Sequence, residues 1–248
     1  MKRKGWYTPD GYTARLCEDI LKQPHVLIAG ATGSGKSVLI NSLIYTALYD
    51  APTKTRFILI DPKRVELSDY RELPHTMRYA SEPGDITAAI LGAVDLMESR
   101  YRDMQKRSLK RYDGADVYII VDEYADLVTT QKNQILTPLC RIAQLGRACG
   151  IHLIIATQRP TREILSGQIK VNVDARVALR CPTAQDSRNI INVKGAELLP
   201  RYGEGLYLTP ETMQPVNVPI PMTAPAEINR LVKHWQEQVK PRGLFRRR

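Results

Sequence analysis

Short apolar runs alternate along the chain with stretches in which apolar residues recur at helical spacing. Five runs have the length of buried strands, and they cover residues 25–30, 56–60, 117–121, 151–156 and 175–179. Helical spacing over residues 38–48, 86–104 and 135–143 predicts amphipathic helices, and a last helix is predicted near Glu227–Val239. This alternation predicts an α/β fold with a mostly parallel sheet that is covered by helices on both faces.

The segment after Pro200 is rich in proline and glycine, and we expect it to wrap around the fold as an irregular tail. We expect residues 1–20 to form a lead-in and residues 21–225 to form the main domain. Residues 226–248 are expected to form a C-terminal helix and a basic tail.

The positive charge of the chain is concentrated at its ends. Of 248 residues, 36 are Lys or Arg and 26 are Asp or Glu, which gives a formal net charge of +10. Seven of these charges lie at residues 2–4, 242 and 246–248, so the remainder carries only about +3. Any contact with nucleic acid is therefore expected in a local groove or loop, and not over a uniformly cationic surface.

Two broad classes of protein are disfavoured. No apolar run reaches the ~18 residues that a membrane-spanning helix needs, so we expect a soluble chain without a membrane segment. The four cysteines, at positions 17, 140, 149 and 181, have neither metal-finger nor disulfide-scaffold spacing. A reducing, cytoplasmic location is expected.

One segment has the spacing of a phosphate-binding loop, G-x-x-x-x-G-K-[ST]. It reads Gly30-Ala31-Thr32-Gly33-Ser34-Gly35-Lys36-Ser37. It lies between a predicted strand and a predicted helix, where backbone N–H groups and the helix N-terminus can surround phosphate oxygens. Lys36 is expected to reach the β- and γ-phosphates of ATP, and the Ser37 hydroxyl is expected to bind Mg²⁺.

Two acids and one amide follow the other predicted strands. Asp122 and Glu123 come directly after the run at 117–121, so Asp122 is expected to hold Mg²⁺ and Glu123 to deprotonate the attacking water. An acid directly after the metal aspartate is typical of the additional-strand class of P-loop ATPases. Gln158 comes two residues after the run at 151–156. It is expected to contact the γ-phosphate and the water, unless it is a polar loop residue that faces solvent.

These motifs, with several others in unbroken order, resemble the motor domain of the FtsK/SpoIIIE family of DNA translocases. The segments that carry the resemblance are 25–37, 60–63, 66–68, 74–75, 121–127, 147–153, 156–160, 167–170, 186–188 and 195–199. The resemblance implies a RecA-like P-loop ATPase domain over about residues 21–225. It also implies a homo-oligomeric ring, commonly a hexamer, around double-stranded DNA, with the nucleotide between neighbouring subunits.

The resemblance also suggests roles for individual cations. Arg147 matches the position of an arginine finger that acts on the neighbouring subunit's nucleotide, with Arg141 as the second choice. The alternative for Arg147 is a residue at a helix end that faces water. Arg188 is expected to approach the nucleotide. Asp61 and Lys63 belong to a family motif, but the sequence gives them no role.

Arg159 and Lys170 match family positions associated with DNA, and Arg162 lies on the same predicted loop. Their expected partners are DNA phosphates, which carry little sequence information. The alternative is that they are ordinary solvated charges.

Other functions remain open from the sequence alone. The resemblance runs from about residue 20 to about residue 208, so about twenty residues precede it and about forty follow it. We therefore expect a minimal member of the family or an excised motor. A related ATPase that drives protein or nucleoprotein transfer in type VII secretion or conjugation would carry similar motifs. A non-hydrolysing, nucleotide-gated assembly module is disfavoured because Lys36, Ser37, Asp122 and Glu123 are all present.

Overall fold

The computed structural model describes residues 11–239. Eight strands within this range form one mixed sheet. The strands are β1 (His25–Ala29), β2 (Thr55–Ile60), β3 (Thr76–Ala80), β4 (Asp116–Val121), β5 (Ile151–Thr157), β6 (Ala175–Ala178), β7 (Glu204–Leu208) and β8 (Val216–Pro219). The α-helices are α1 (Gly11–Lys22), α2 (Lys36–Asp50), α3 (Pro83–Lys106), α4 (Tyr124–Leu145), α5 (Gly167–Lys170), α6 (Ala184–Ile191) and α7 (Pro225–Val239).

The strand order is β3-β2-β4-β5-β1-β6-β7-β8. The first six strands are parallel, whereas β7 pairs antiparallel with both β6 and β8. The carboxyl ends of β1, β4 and β5 therefore meet at one edge of the sheet, side by side at its centre. In open α/β sheets this is the edge where ligands bind.

Helices cover both faces of the sheet because successive residues of a buried parallel strand point to opposite sides. On β1, Leu27 packs in one apolar core with residues of α3, α4 and α6. Its neighbours Val26 and Ile28 pack in the other core, with residues of α1, α2 and α7.

The five predicted strands are all present, each within one residue of its expected bounds. β3 escaped prediction because four of its five side chains are at least partly exposed, so it lacks an apolar run. The prediction of an irregular tail after Pro200 is wrong in part. Residues 204–208 and 216–219 form β7 and β8, which extend the sheet, and their shortness hid them among prolines and glycines.

The ends of the described chain pack into the same core as the rest. Leu16 and Ile20 of α1, and Leu231 of α7, are buried against the α2 face of the sheet. The predicted basic ends, residues 2–4 and 242–248, lie outside the described residues. None of the helices within residues 11–239 has both the length and the apolar character to cross a membrane.

His25, the first residue of β1, is a titratable group inside the core. Its ring is 4% exposed, and its Nδ1 accepts a hydrogen bond from the Leu153 N–H at 3.1 Å. Burial, with a smaller contribution from His152, lowers the pKa of His25 from 6.5 to about 3. The folded chain therefore holds this ring neutral at pH values where an unfolded chain would protonate it.

The depressed pKa of His25 predicts a specific loss of stability in acid. Above pH 6.5 the His25 ring is neutral in both states, and its protonation costs the folded state nothing. As the pH falls below 6.5 the free energy of unfolding declines, because only the unfolded state takes up the proton. Between pH 7 and pH 5 we expect a loss of about 2 kcal/mol in the free energy of unfolding from this residue. Urea denaturation at both pH values should show a smaller loss for His25→Asn, which keeps an acceptor near Nδ1. Equal losses in the two proteins would contradict the prediction.

Candidate nucleotide-binding and catalytic site

Residues 30–37 form the loop that connects β1 to α2 at the carboxyl edge of the sheet. Backbone hydrogen bonds tie this loop to the neighbouring strands. The Gly30 N–H donates to the Thr157 carbonyl, and the Ala31 N–H donates to the Arg180 carbonyl. The first two residues of the loop are therefore held between β5 and the segment that follows β6.

The loop has the shape of a cradle that larger residues would fill. A Cβ on Gly30 would lie 2.7 Å from both the Leu179 Cβ and the Ser34 Oγ. Gly33 and Gly35 have φ angles of 72° and 98°, a conformation that favours glycine. The Ser34 Oγ is buried and has no hydrogen-bond partner among residues 11–239. These features fit a phosphate group, which supplies acceptors for unpaired donors.

Lys36 and Asp122 form a buried ion pair at the centre of the site. Lys36 begins α2, and its Nζ donates to the Asp122 Oδ1 at 2.7 Å and to the Asp122 carbonyl oxygen at 2.6 Å. The two side chains are 3% and 1% exposed. Ser37 follows Lys36 in the first turn of α2 and is partly exposed. A hydroxyl and a carboxylate are ligand types that Mg²⁺ prefers, so Ser37 and Asp122 fit the predicted metal role.

Glu123 is fixed by groups from β5, the strand beside β4. Its Oε1 accepts a hydrogen bond from the Thr157 hydroxyl at 2.7 Å. The Gln158 N–H lies 3.1 Å from Oε1 and 3.2 Å from Oε2. Glu123 is 1% exposed. The carboxylate is thus oriented by the neighbouring strand in the way that a general base requires.

The Gln158 side chain lies against the phosphate loop. The Thr32 hydroxyl donates to the Gln158 Oε1 at 2.7 Å. Gln158 therefore contacts the phosphate loop through its side chain and Glu123 through its backbone. That position suits the predicted contact with a γ-phosphate and an attacking water, which stays a prediction.

Arg147 lies at the opposite edge of the sheet, in the 3₁₀ turn Gly146–Cys149 just before β5 begins. The seven residues of β5 separate this turn from the phosphate loop by about 20 Å. Helix α3 holds the turn, because the Arg100 Nη1 donates to the Cys149 carbonyl and the Tyr101 hydroxyl donates to the Leu145 carbonyl, each at 2.7 Å. Arg147 itself is exposed.

Arg141, the second choice for the finger, is paired with an acid of its own chain. Its Nη2 lies 2.7 Å from the Glu98 Oε1. Arg147 therefore remains the better candidate for a cation that is supplied to a neighbouring subunit.

Arg162, Lys170 and Arg188 line one groove together with Arg176 and Asn192. The Lys170 Nζ donates to the uncharged Asn192 Oδ1 at 3.2 Å. Burial, and then the nearby Arg176 and Arg162, lower the pKa of Lys170. The groove lining holds these four cations and one acid, Asp174, and this excess of positive charge favours an anion in the groove. The structure thus groups Arg188, which the sequence assigned to the nucleotide, with the cations assigned to DNA.

Arg159 lies outside that groove lining, at an exposed position directly after Gln158. Its backbone N–H donates to the Thr157 hydroxyl at 3.1 Å. The loop between β5 and α5 thus begins at the carboxyl edge of the sheet, beside Glu123, and it carries both Arg159 and Arg162. We refer to this edge, where Lys36, Asp122 and Glu123 lie, as the catalytic edge.

Three residues at the site were missed by sequence reasoning. Thr157 adjoins Gln158 at the end of a predicted strand, so its position could have indicated its role. Lys63, in a recognised motif, lies beside Glu123 and Asp126. The Nη2 of Arg201 lies 3.7 Å from where a Gly33 Cβ would be, but no motif marks Arg201.

Comparisons with known proteins show similarity along most of the chain. The family model described as FtsK/SpoIIIE family matches residues 8–119 and 113–162, which together make up more than half of the chain. The DNA translocase SftA of Bacillus subtilis is 39% identical over 243 residues, and the match covers 92% of this chain and 26% of SftA. The DNA translocase FtsK of Mycobacterium tuberculosis is 37% identical over 251 residues, with 91% and 30% covered. The chain thus spans between a quarter and a third of these relatives.

Solved structures share the fold. The pCW3 conjugation coupling protein TcpA, in a monomer form with ATPγS, superposes with a TM-score of 0.76 at 24% identity, covering 87% of this chain and 66% of TcpA. The cytoplasmic domain of the Thermomonospora curvata type VII secretion ATPase EccC gives 0.72 at 23% identity, covering 86% and 28%. The α/β, RecA-like P-loop fold predicted from the sequence is confirmed.

The buried ion pair predicts a large effect of Lys36 on the free protein. Lys36→Met leaves the Asp122 carboxylate buried without its cation, so we expect the free energy of unfolding to fall by about 3–5 kcal/mol. Urea denaturation measures this loss. The double variant Lys36→Met/Asp122→Asn removes the stranded charge and should recover most of it. Equal destabilisation of the single and double variants would contradict the role of the pair.

Proposed function

The chain belongs to the FtsK/SpoIIIE family, and we propose that it is a DNA translocase motor domain that hydrolyses ATP to move double-stranded DNA. The observation that carries the proposal is the joint placement of Lys36, Asp122 and Glu123 at one sheet edge, with Glu123 oriented by Thr157. We place the domain in the cytoplasm, where both ATP and DNA are available.

ATP binding starts at the loop 30–37. Its N–H groups and the start of α2 receive the phosphates, and Lys36 exchanges its contact with Asp122 for the β- and γ-phosphate oxygens. Asp122 and Ser37 would then hold a magnesium ion, which would neutralise charge on the phosphates. The existing Lys36–Asp122 pair keeps both side chains in place until that exchange.

Hydrolysis uses Glu123 as the general base. Glu123 takes a proton from the attacking water, whose oxygen bonds to the γ-phosphorus while the bond to the β–γ bridging oxygen breaks. The products are ADP and inorganic phosphate. Thr157 and the Gln158 N–H hold the carboxylate during this step, and the Gln158 side chain orients the water and the γ-phosphate.

Assembly as a homo-oligomeric ring, in the sixfold form of the family pattern, supplies the remaining cation.

 
Arg147 cannot reach its own phosphate loop from the opposite edge of the sheet, whereas a neighbouring subunit could present its Arg147 to that loop. Lys22, Lys110 and Arg111 line the same groove as Arg147, so the surface that would face the neighbour's phosphates is cationic. An arginine supplied in this way accelerates phosphoryl transfer by about 10³–10⁵, or roughly 4–7 kcal/mol.

DNA is the proposed substrate because the groove is lined by four cations, Arg162, Lys170, Arg176 and Arg188, and by one acid, Asp174. Arg159 lies on the same loop as Arg162 and adds an exposed cation directly after Gln158. Contacts of this kind bind phosphates and position the duplex without reading its sequence.

Transfer of protein or nucleoprotein is the alternative substrate class. The secretion ATPase and the conjugation coupling protein resemble this chain at 23–24% identity, a level that shows the fold alone. The relatives named DNA translocases are 37–39% identical, which favours DNA.

The central test is steady-state ATP hydrolysis with and without long double-stranded DNA over a range of salt concentrations. We expect DNA to stimulate hydrolysis and added salt to weaken the stimulation, because phosphate contacts release counterions. Lys170→Ala should reduce the slope of log affinity against log salt by about one, while DNA-free hydrolysis is retained.

Glu123→Gln is the catalytic blank for this test, since it should bind ATP without cleaving it. Hydrolysis that depends on Glu123 but is indifferent to DNA would contradict the DNA proposal and favour protein transfer. Hydrolysis that survives in Glu123→Gln would place the general base elsewhere.

The supply of Arg147 between subunits predicts complementation. Arg147→Ala and Glu123→Gln are each expected to be inactive alone, but a mixed ring contains interfaces with an intact Glu123 on one side and an intact Arg147 on the other. Hydrolysis should therefore reappear on mixing and peak at intermediate ratios. No recovery at any ratio, in mixtures shown to co-assemble, would contradict a finger supplied by the neighbour.

A further inference from the structure

Lys63 is shared between two carboxylates at the catalytic edge. Its Nζ lies 3.5 Å from the Glu123 Oε2 and 3.7 Å from the Asp126 Oδ2. Glu123 immediately precedes α4, and Asp126 lies in its first turn. The Lys63 side chain is 43% exposed, so its ammonium group has room to move between these two partners.

The backbone that carries Lys63 is anchored while the side chain is not. The neighbouring Asp61 is fully buried, and its Oδ2 accepts hydrogen bonds from the Leu67 N–H at 3.0 Å and from the Tyr79 hydroxyl at 3.4 Å. A lysine side chain has a flexible four-carbon stem that ends in a compact charge. Lys63 can therefore change partner without a change in the fold.

The two oxygens of Glu123 have different surroundings. Oε1 is held by the Thr157 hydroxyl at 2.7 Å and the Gln158 N–H at 3.1 Å. Oε2 has only longer contacts among the described residues, with the Gln158 N–H at 3.2 Å and Lys63 at 3.5 Å. Oε2 is thus the oxygen that is better placed to accept a proton from water, and Lys63 is a donor that competes for it.

The charges around Glu123 form one pair and one group of three. Lys36 is bound to Asp122 at 2.7 Å, which leaves Lys63 to be shared by Glu123 and Asp126. The exchange proposed for ATP binding involves Lys36 and Asp122, and it offers Lys63 no new partner.

We propose that Lys63 restrains Glu123 and that its transfer to Asp126 frees the Oε2 atom for proton transfer. Lys63 is in this view a positioning residue that keeps hydrolysis slow until DNA is engaged, and Asp126 is its alternative partner. The inference rests on the proposed function, because it assigns regulation to the same base. It gives a role to the Asp61–Lys63 motif that the sequence left unexplained.

The test compares ATP hydrolysis of the full chain with and without double-stranded DNA in single variants. Lys63→Met should raise the DNA-free kcat by about threefold to tenfold, the effect of losing one competing hydrogen bond. The KM for ATP should stay unchanged, and stimulation by DNA should shrink by a similar factor. Lys63→Arg keeps a donor and should restore the restraint. Lys54→Met, at the exposed amino end of β2, is the matched control and should resemble the wild type.

Asp126 supplies an independent arm of the experiment. Asp126→Asn removes the alternative partner, so it should lower the DNA-stimulated kcat by about threefold to tenfold. In the Lys63→Met background the same substitution should have no effect, because Asp126 acts through Lys63. An effect of equal size in both backgrounds would overturn the inference.

A fall in the DNA-free kcat of Lys63→Met, in protein with wild-type urea stability, would also overturn it. Both of these failures leave Glu123-dependent, DNA-stimulated hydrolysis intact in the wild type. Failure of the proposed function would instead appear as the absence of such hydrolysis in the wild type itself.

Discussion

The parallel alignment of β1, β4 and β5 at the centre of the sheet is the constraint on which the site depends. These strands are direct neighbours in register, so everything that follows their carboxyl ends is brought to one place. The phosphate loop follows β1, Asp122 and Glu123 follow β4, and Gln158 follows β5. Residues more than a hundred positions apart, such as Thr32 and Gln158, therefore form hydrogen bonds.

The same sheet places Glu123 and Arg147 at opposite edges, although the two residues would act together between neighbouring subunits. Glu123 and Arg147 are joined by α4, which begins beside the base at one edge and ends before the Arg147 turn at the other. The helix is irregular at the buried Gln131, with φ −148° and ψ 29°. Because the strands and α4 span the sheet, one subunit presents a base at one edge and a cation at the opposite edge. This polarity suits a ring, in which each edge meets the other edge of a neighbour.

Charge at the catalytic edge is balanced by pairs whose members have other partners available. Lys36 holds Asp122 where phosphates and a magnesium ion would bind, and Lys63 lies between Glu123 and Asp126. Lys36 and Asp122 are buried, and a buried ion pair is costly to break, so these two side chains hold their positions until a competing charge arrives. Lys63 is partly exposed, so its ionic contacts are weaker. Binding and regulation can then both proceed by exchange of ionic partners within a rigid fold.

The sequence by itself determined the central strands, the phosphate loop and the acids at 122 and 123, because apolar runs and short motifs are local signals. It did not reveal β3, β7 and β8, whose short strands are partly exposed and become strands only through pairing with neighbours. The tertiary structure alone decided that Thr157 and Lys63 contact Glu123, that Arg201 approaches the phosphate loop, and that Arg188 joins Lys170. These contacts join residues distant in sequence, and only the packing of the sheet and its helices sets the distances between them.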